Sequence, residues 1–177
     1  MLSDREATRD ARLRSMVDRY FETVWRALRR LGVPASGADD AAQQVFFVAS
    51  RRIDEIEEGR ERAYLLGIGL RVASDMRRAA NRRKGMLEAL AVESSTVRPL
   101  APAPDEIVDH RRLLGLLASF LDEMPDKLRE AFVLFEIEEL GAPEVAQLLD
   151  VPVGTVASRV RRARELIRSG LAKRGAP

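Results

Sequence analysis

Thr155, Ser158, Arg159, Arg161, Arg162 and Arg164 fall within ten residues of one another, and no other group in this 177-residue chain is better placed to act together. Their chemistry would be non-covalent. Hydroxyls and guanidinium forks hydrogen-bond base edges, and fixed cations pair with phosphates. The segment that carries them, PVGTVASRVRRARELIRSGL (152–171), spaces Val156, Val160, Ala163 and Ile167 at i, i+4, i+7 and i+11. That is the buried stripe of a helix. The arginines lie off the stripe, with Glu165 the only acid among them. Thr155 stands where an N-cap belongs, its hydroxyl able to accept from the Ser158 amide. The preceding segment, PEVAQLLDV (143–151), predicts a short helix burying Val145, Ala146, Leu148 and Leu149, with Pro143 at a tolerated first position. Pro152 and Gly154 forbid one continuous helix across the two segments. The pattern is a helix-turn-helix with a basic second helix, the usual major-groove reader. An arginine run is often only a solvated face. A run of one sign behind a compact turn favours nucleic acid.

Elements that could hold such a helix are easily found. Ala, Leu, Arg and Glu dominate, aromatics make up 5% and β-branched runs are few, which predicts an all-α fold. Hydrophobic residues at 46% suffice for cores, and no apolar run reaches the roughly 18 residues of a transmembrane helix. The first fifteen residues are charged and lack the apolar segment of a signal peptide, so no membrane insertion and a cytoplasmic location are expected. With no cysteine and the single histidine His110, thiolate zinc sites, disulfides and histidine-based catalytic pairs are excluded, and no cofactor or metal is expected. Net charge is only +2, but it is unevenly spread. From Leu121 to Asp150 the acids Asp122, Glu123, Asp126, Glu130, Glu136, Glu138, Glu139, Glu144 and Asp150 face only Lys127 and Arg129. From Arg159 to Arg174 the balance reverses. A polyanion would meet only the basic half.

Periodicity divides the chain into two helical domains joined by a flexible linker: 1–80, linker 81–104 and 105–177. In the first, Val17, Tyr20, Phe21, Val24, Trp25 and Leu28 keep helical spacing until Gly32-Val33-Pro34. Ser36-x-x-Asp39 is expected to cap a second helix carrying Ala38, Ala41, Ala42, Val45, Phe46 and Ala49. A third, from Glu61 to about Ala80, carries Leu65, Ile68, Val72 and Met76 and ends in Arg71, Arg77, Arg78, Arg82 and Arg83. Pro99, Pro102 and Pro104 mark the linker. In the second domain Leu113 to Leu121 predicts one helix, stopped at Met124-Pro125. Another is predicted from Asp126 to Leu140, ended by Gly141.

Taken together these blocks resemble the ECF-type (extracytoplasmic function) sigma factors of the sigma-70 family. MPDKLREAFVLFEIEELGAPEVAQLLDVPVGTVASRVRRARELI resembles the family's domain 4, and ADDAAQQVFFVAS (38–50) with YLLGIGLRVASDMRR (64–78) resembles domain 2. The resemblance implies a specificity subunit that binds core RNA polymerase and promoter DNA and initiates transcription. On that reading Asp39, Asp40, Gln43 and Gln44 dock on the polymerase clamp helices. Arg71, Arg77, Arg78, Arg82 and Arg83 face the minus-ten element as it opens. Thr155, Ser158, Arg159, Arg161, Arg162 and Arg164 meet the minus-thirty-five element, Ser158 and Arg162 reading bases while Arg159, Arg161 and Arg164 grip phosphates. The resemblance also implies an anti-sigma partner. Arg71, Tyr64, Ala157 and Gln44 stand where the family usually carries Asn, Trp, a basic residue and Glu. Tyr20, Trp25, Phe46 and Tyr64 keep core spacing and read as packing rather than base stacking.

Two other readings compete. A stand-alone helix-turn-helix regulator would bind its operator as a dimer, but no long heptad seam is present. An enzyme is a distant third, since the acids Asp54, Glu55, Glu57 and Glu58 lie in a polar segment without His or Cys.

Overall fold

Glycine at position 32 sets the first corner. Helix α1 (Leu2–Arg30) stops where Gly32 takes a φ of +93°. The amide of Val33 donates to Leu28 O at 3.0 Å and that of Gly32 to Arg29 O at 3.1 Å, the paired bonds of a Schellman turn. Helix α2 (Ala35–Arg51), a single 3-10 turn at Ile53–Glu55 and helix α3 (Glu61–Leu90) then pack against α1. Leu28, Leu31, Val33, Val45, Leu65 and Leu66 fill the space between them and are almost wholly buried, each stabilising by roughly 1.5–3 kcal/mol. The computed structural model describes residues 2–90 and 106–173, with side chains for 6–83 and 115–173. His110 and much of the expected linker lie outside the described side chains.

The second unit contains α4 (Glu106–Glu123), α5 (Asp126–Phe132), a π-helical turn (Val133–Ile137), α6 (Ala142–Leu149) and α7 (Val153–Lys173). No strand occurs among the described residues, so the all-α expectation holds. Several expected boundaries move. Helix α3 runs on to Leu90, because residues 81–90 contain good helix formers and no proline. Helix α2 starts at Ala35 behind Pro34, so Ser36 lies inside it and caps nothing. Helix α7 starts at Val153, so Thr155 lies in its first turn, its amide donating to Pro152 O at 2.8 Å. The helix expected over Asp126–Leu140 widens into the π turn. It is closed by Glu139, at a φ of 52°, rather than by Gly141, which is extended and precedes α6. The amide of Glu138 reaches back to Val133 O at 2.9 Å and that of Leu140 to Leu134 O at 3.1 Å. Asp150, at a φ of 51°, ends α6 in a second Schellman turn and opens the turn of the helix-turn-helix.

The two units do not stand apart. Their buried apolar residues form one continuous cluster, from Met16 and Leu28 of α1 to Val156 and Val160 of α7. Trp25, Arg29 and Arg30 of α1 line one crevice with Leu117 and Leu121 of α4. A Cβ on Gly67 of α3 would lie 2.8 Å from Leu148 Cδ2 of α6, so the leucine side chain packs directly against the α3 backbone there. Gly32 fits for a second reason: a Cβ would lie 2.3 Å from the Arg129 guanidinium.

Candidate nucleic-acid interface

Helix α7 presents the face that its sequence implies. Val156, Val160 and Ala163 are buried, while Ser158, Arg161, Arg162, Arg164 and Arg168 are exposed and Arg159 is half-buried. The arginines differ in how they are held. Arg164 pairs with Glu136 of the π turn, tying the helix to its own unit. Arg161 lies 3.9 Å from Glu165 one turn on, a weak surface pair. Arg159 and Arg162 have no ion-pair partner among the described residues, which leaves their guanidinium groups available. Ser158 donates its hydroxyl to Thr155 O at 2.9 Å, so its oxygen retains acceptor capacity outward.

On α3, Arg71, Arg78, Arg82 and Arg83 are exposed along the helix, and Arg78 donates to the Ser74 hydroxyl at 3.1 Å. Arg77 is different. Its side chain is 10% exposed and turned toward the second unit. It donates to Leu31 O and to Glu130 Oε1, and its Nε lies 3.3 Å from Asp126 Oδ2 without a hydrogen bond to it. The sequence places Arg77 in the same basic run as its neighbours, and only the fold separates it from them.

The outward face of α2 carries Asp39, Asp40, Gln43 and Gln44, all exposed. Asp39 is engaged, accepting the Trp25 indole N–H at 2.8 Å. This contact, and not a cap, is what its position serves. Sequence reasoning missed Phe47. It lies one turn beyond Gln43 on the same face, is 61% exposed, and has the Arg51 guanidinium 5.0 Å above its ring. Its neighbour Phe46 is buried and stacks against Phe21, with ring centroids 6.0 Å apart. A pair of phenylalanines thus reads as core until helical phase separates the two. Tyr20, Trp25 and Tyr64 pack against the core, as expected of their spacing.

Two ionisable groups in the scaffold are shifted. The Arg129 guanidinium is pushed below its usual value by burial, with Asp126 opposing, and it donates to Asp122 O and Met124 O at 3.0 Å each. The Glu61 carboxyl is held below its usual range chiefly by its own backbone amide at the start of α3. The Gly59 amide and Arg12 assist, and burial opposes. The acids at 54–58 form exposed pairs, Asp54 with Arg9 and Glu57 with Arg60, and no metal-holding group of three ligands occurs among the described residues.

A helix-turn-helix unit is joined here to a second helical unit that carries its own basic helix. Residues 114–167 match the family model Sigma-70, region 4, and residues 16–83 match Sigma-70 region 2. The chain is 32% identical over 158 residues to ECF RNA polymerase sigma factor SigE of Mycolicibacterium smegmatis, covering 89% of this chain and 61% of that relative. It is 30% identical over 158 residues to the ECF RNA polymerase sigma-E factor of Escherichia coli K12, covering 86% and 82%. Among solved structures it is similar to CnrH in complex with the cytosolic domain of CnrY. That match has 26% identity and a TM-score of 0.65, covering 91% of this chain and 88% of that one. This chain belongs to the ECF-type sigma-70 family. It is a transcription-initiation factor that directs RNA polymerase to promoters. No described helix is long and apolar enough to cross a membrane.

Proposed function

We propose that the two basic helices divide promoter recognition and that α2 carries polymerase binding. Asp40, Gln43 and Gln44 would meet the polymerase clamp through hydrogen bonds, with Phe47 as an apolar anchor among them and Asp39 held in place by Trp25. Exposed aromatics surrounded by polar groups are the usual anchors of protein interfaces. Arg71, Arg78, Arg82 and Arg83 would track the minus-ten strand as it opens, while Arg77 is engaged with Glu130 and Asp126 of the second unit. Helix α7 would lie in the major groove of the minus-thirty-five element. Ser158 and Arg162 would read base edges there, with Thr155, Arg159, Arg161 and Arg164 serving the backbone.

The observation that carries this reading is the exposed Arg162 beside Ser158, without an ion-pair partner among the described residues, on a helix whose other face is locked into the core. RNA synthesis would belong to the polymerase, the chain itself contributing recognition and no catalysis, and its place of action would be the cytoplasm. The relative CnrH is known in complex with the cytosolic domain of CnrY, which supports an anti-sigma partner for this chain as well. Purified core polymerase from the same organism, given this protein, should start transcripts at a discrete class of promoters when start sites are mapped. Tight operator binding with no association with core polymerase would overturn the reading.

A further inference from the structure

Over the first two turns of α7 no exposed side chain is larger than valine. Six exposed residues lie along the helix in two adjacent rows, each stepping four residues at a time. Val153, Ala157 and Arg161 form one row, and Gly154, Ser158 and Arg162 form the other. Both rows begin apolar or bare and reach a guanidinium two turns on. Val153 is 47% exposed and lies outside the core and the residues packed against it. Scattered surface apolar residues are normal, so Val153 alone would carry nothing. Gly154 is the sharper clue. Its backbone is helical and its φ is not positive, so the turn does not require glycine. A Cβ there would meet no atom within 4 Å among the described residues, so packing does not require it either. Glycine is the poorest helix former after proline, and alanine would serve the fold better. A position that the fold would rather fill is left bare where another body comes close to the backbone.

A recognition helix lays its N-terminal residues against base edges in the major groove. Long side chains at that end would hold the helix off the groove floor. Here the end is stripped, it bears no acid in its first turn, and the exposed arginines sit further back. Among the base edges of the groove floor, only that of thymine carries an apolar group, its C5-methyl. A polar edge pressed against valine and alanine would lose water and gain no hydrogen bond. We infer that α7 reads thymine through this patch. Val153 and Ala157 seat the C5-methyl, and Gly154 is bare so that base edges come within reach of the Ser158 hydroxyl. The inference rests on the reading of α7 as the minus-thirty-five helix. It adds to Ser158 and Arg162 a readout that uses no hydrogen bond.

The test uses the full chain, with and without core polymerase, and duplexes that each selects from a random pool. Every thymine of the selected element is replaced singly by deoxyuridine, which differs only in lacking the methyl. At one position or two, binding by the wild-type chain should fall by about fourfold, the worth of one methyl group taken out of water. Val153→Ser, at an exposed site, should fold as wild type does and lose a similar factor on the thymine duplex. On the deoxyuridine duplex it should lose almost nothing further, because both changes remove the same contact. Gly154→Ala should bind its element several-fold more weakly while its Tm holds or rises. Losses that simply add for Val153→Ser and deoxyuridine, or the lack of any responsive thymine, would overturn the methyl contact. Wild-type binding by Gly154→Ala, or a loss that accompanies a fallen Tm, would overturn the close approach. If the holoenzyme forms and transcribes while these comparisons fail, the proposed function stands without this inference. If no holoenzyme forms, it is the proposed function that fails, and the duplexes selected by the chain alone still decide whether thymine is read.

Discussion

Arg162 and Arg164 are two residues apart on α7 and face different tasks. Arg164 is held by Glu136, so removing it loosens the helix from its unit as well as removing a cation. Arg162 is exposed and has no ion-pair partner among the described residues. Bidentate recognition of a guanine is worth roughly 1–3 kcal/mol, so Arg162→Ala should weaken promoter-specific binding by about five- to 150-fold. Binding to random DNA should fall much less, and competition titrations against both DNAs give the comparison. Equal losses would make Arg162 a phosphate anchor. Phe47 invites a parallel test on the other surface. Phe47→Ser removes a ring that supports nothing in the core, so thermal stability should hold. Affinity for core polymerase should fall by roughly tenfold or more if the ring is an interface anchor. Unchanged affinity would confine Phe47 to its contact with Arg51. The two residues differ in how visible they were. Arg162 stands out in sequence by charge, whereas Phe47 is hidden beside Phe46 until the helix is drawn and one ring turns inward.

At the scale of elements, most helices follow from apolar spacing, and the discrepancies have local causes. The stripes of α2 and α7 are readable because 3.6-residue periodicity places Ala38, Ala42 and Val45, or Val156, Val160 and Ala163, on one side. The π turn was not readable. It follows from the need to bury Val133 and Leu134 while delivering Glu138 to partners that only the tertiary fold supplies. Nor could periodicity show that Glu139, a residue that rarely takes positive φ, and not Gly141 would reverse the chain. The start of α3 carries a prediction of its own. Because the Glu61 carboxyl is held below its ordinary value of 4.5, its stabilising contribution is present above that value. It is lost as pH falls through the lowered one. Glu61→Gln should therefore be less stable than wild type at neutral pH, and the gap in Tm should close on acidification. A gap that stays constant with pH would show that the carboxylate charge plays no part.

For the whole molecule, the question is whether the two units melt together. Sequence periodicity separates them at the prolines, and nothing in either half announces the other's surface. The shared cluster and the ion pairs of Glu138 with Arg30 and Arg62 are products of tertiary structure, so this contact could not have been read from spacing. Gly67 offers a way to break it without touching a charge. Its missing side chain lets Leu148 approach, and an alanine there needs only a small shift of a flexible methyl group. A phenylalanine has no such escape, because overpacking a closed apolar contact typically costs about 1–3 kcal/mol. The only neighbour within 4 Å of a Cβ at Gly67 is Leu148 of α6, among the described residues. The strain of Gly67→Phe should therefore fall on the interface. If the shared core couples the units, wild type should unfold in one calorimetric transition and Gly67→Phe in two, with larger dimensions before either. Gly67→Ala should stay close to wild type. Two transitions already present in wild type would mean that each unit is stable alone and that the interface is too weak to couple them, however closely its side chains meet.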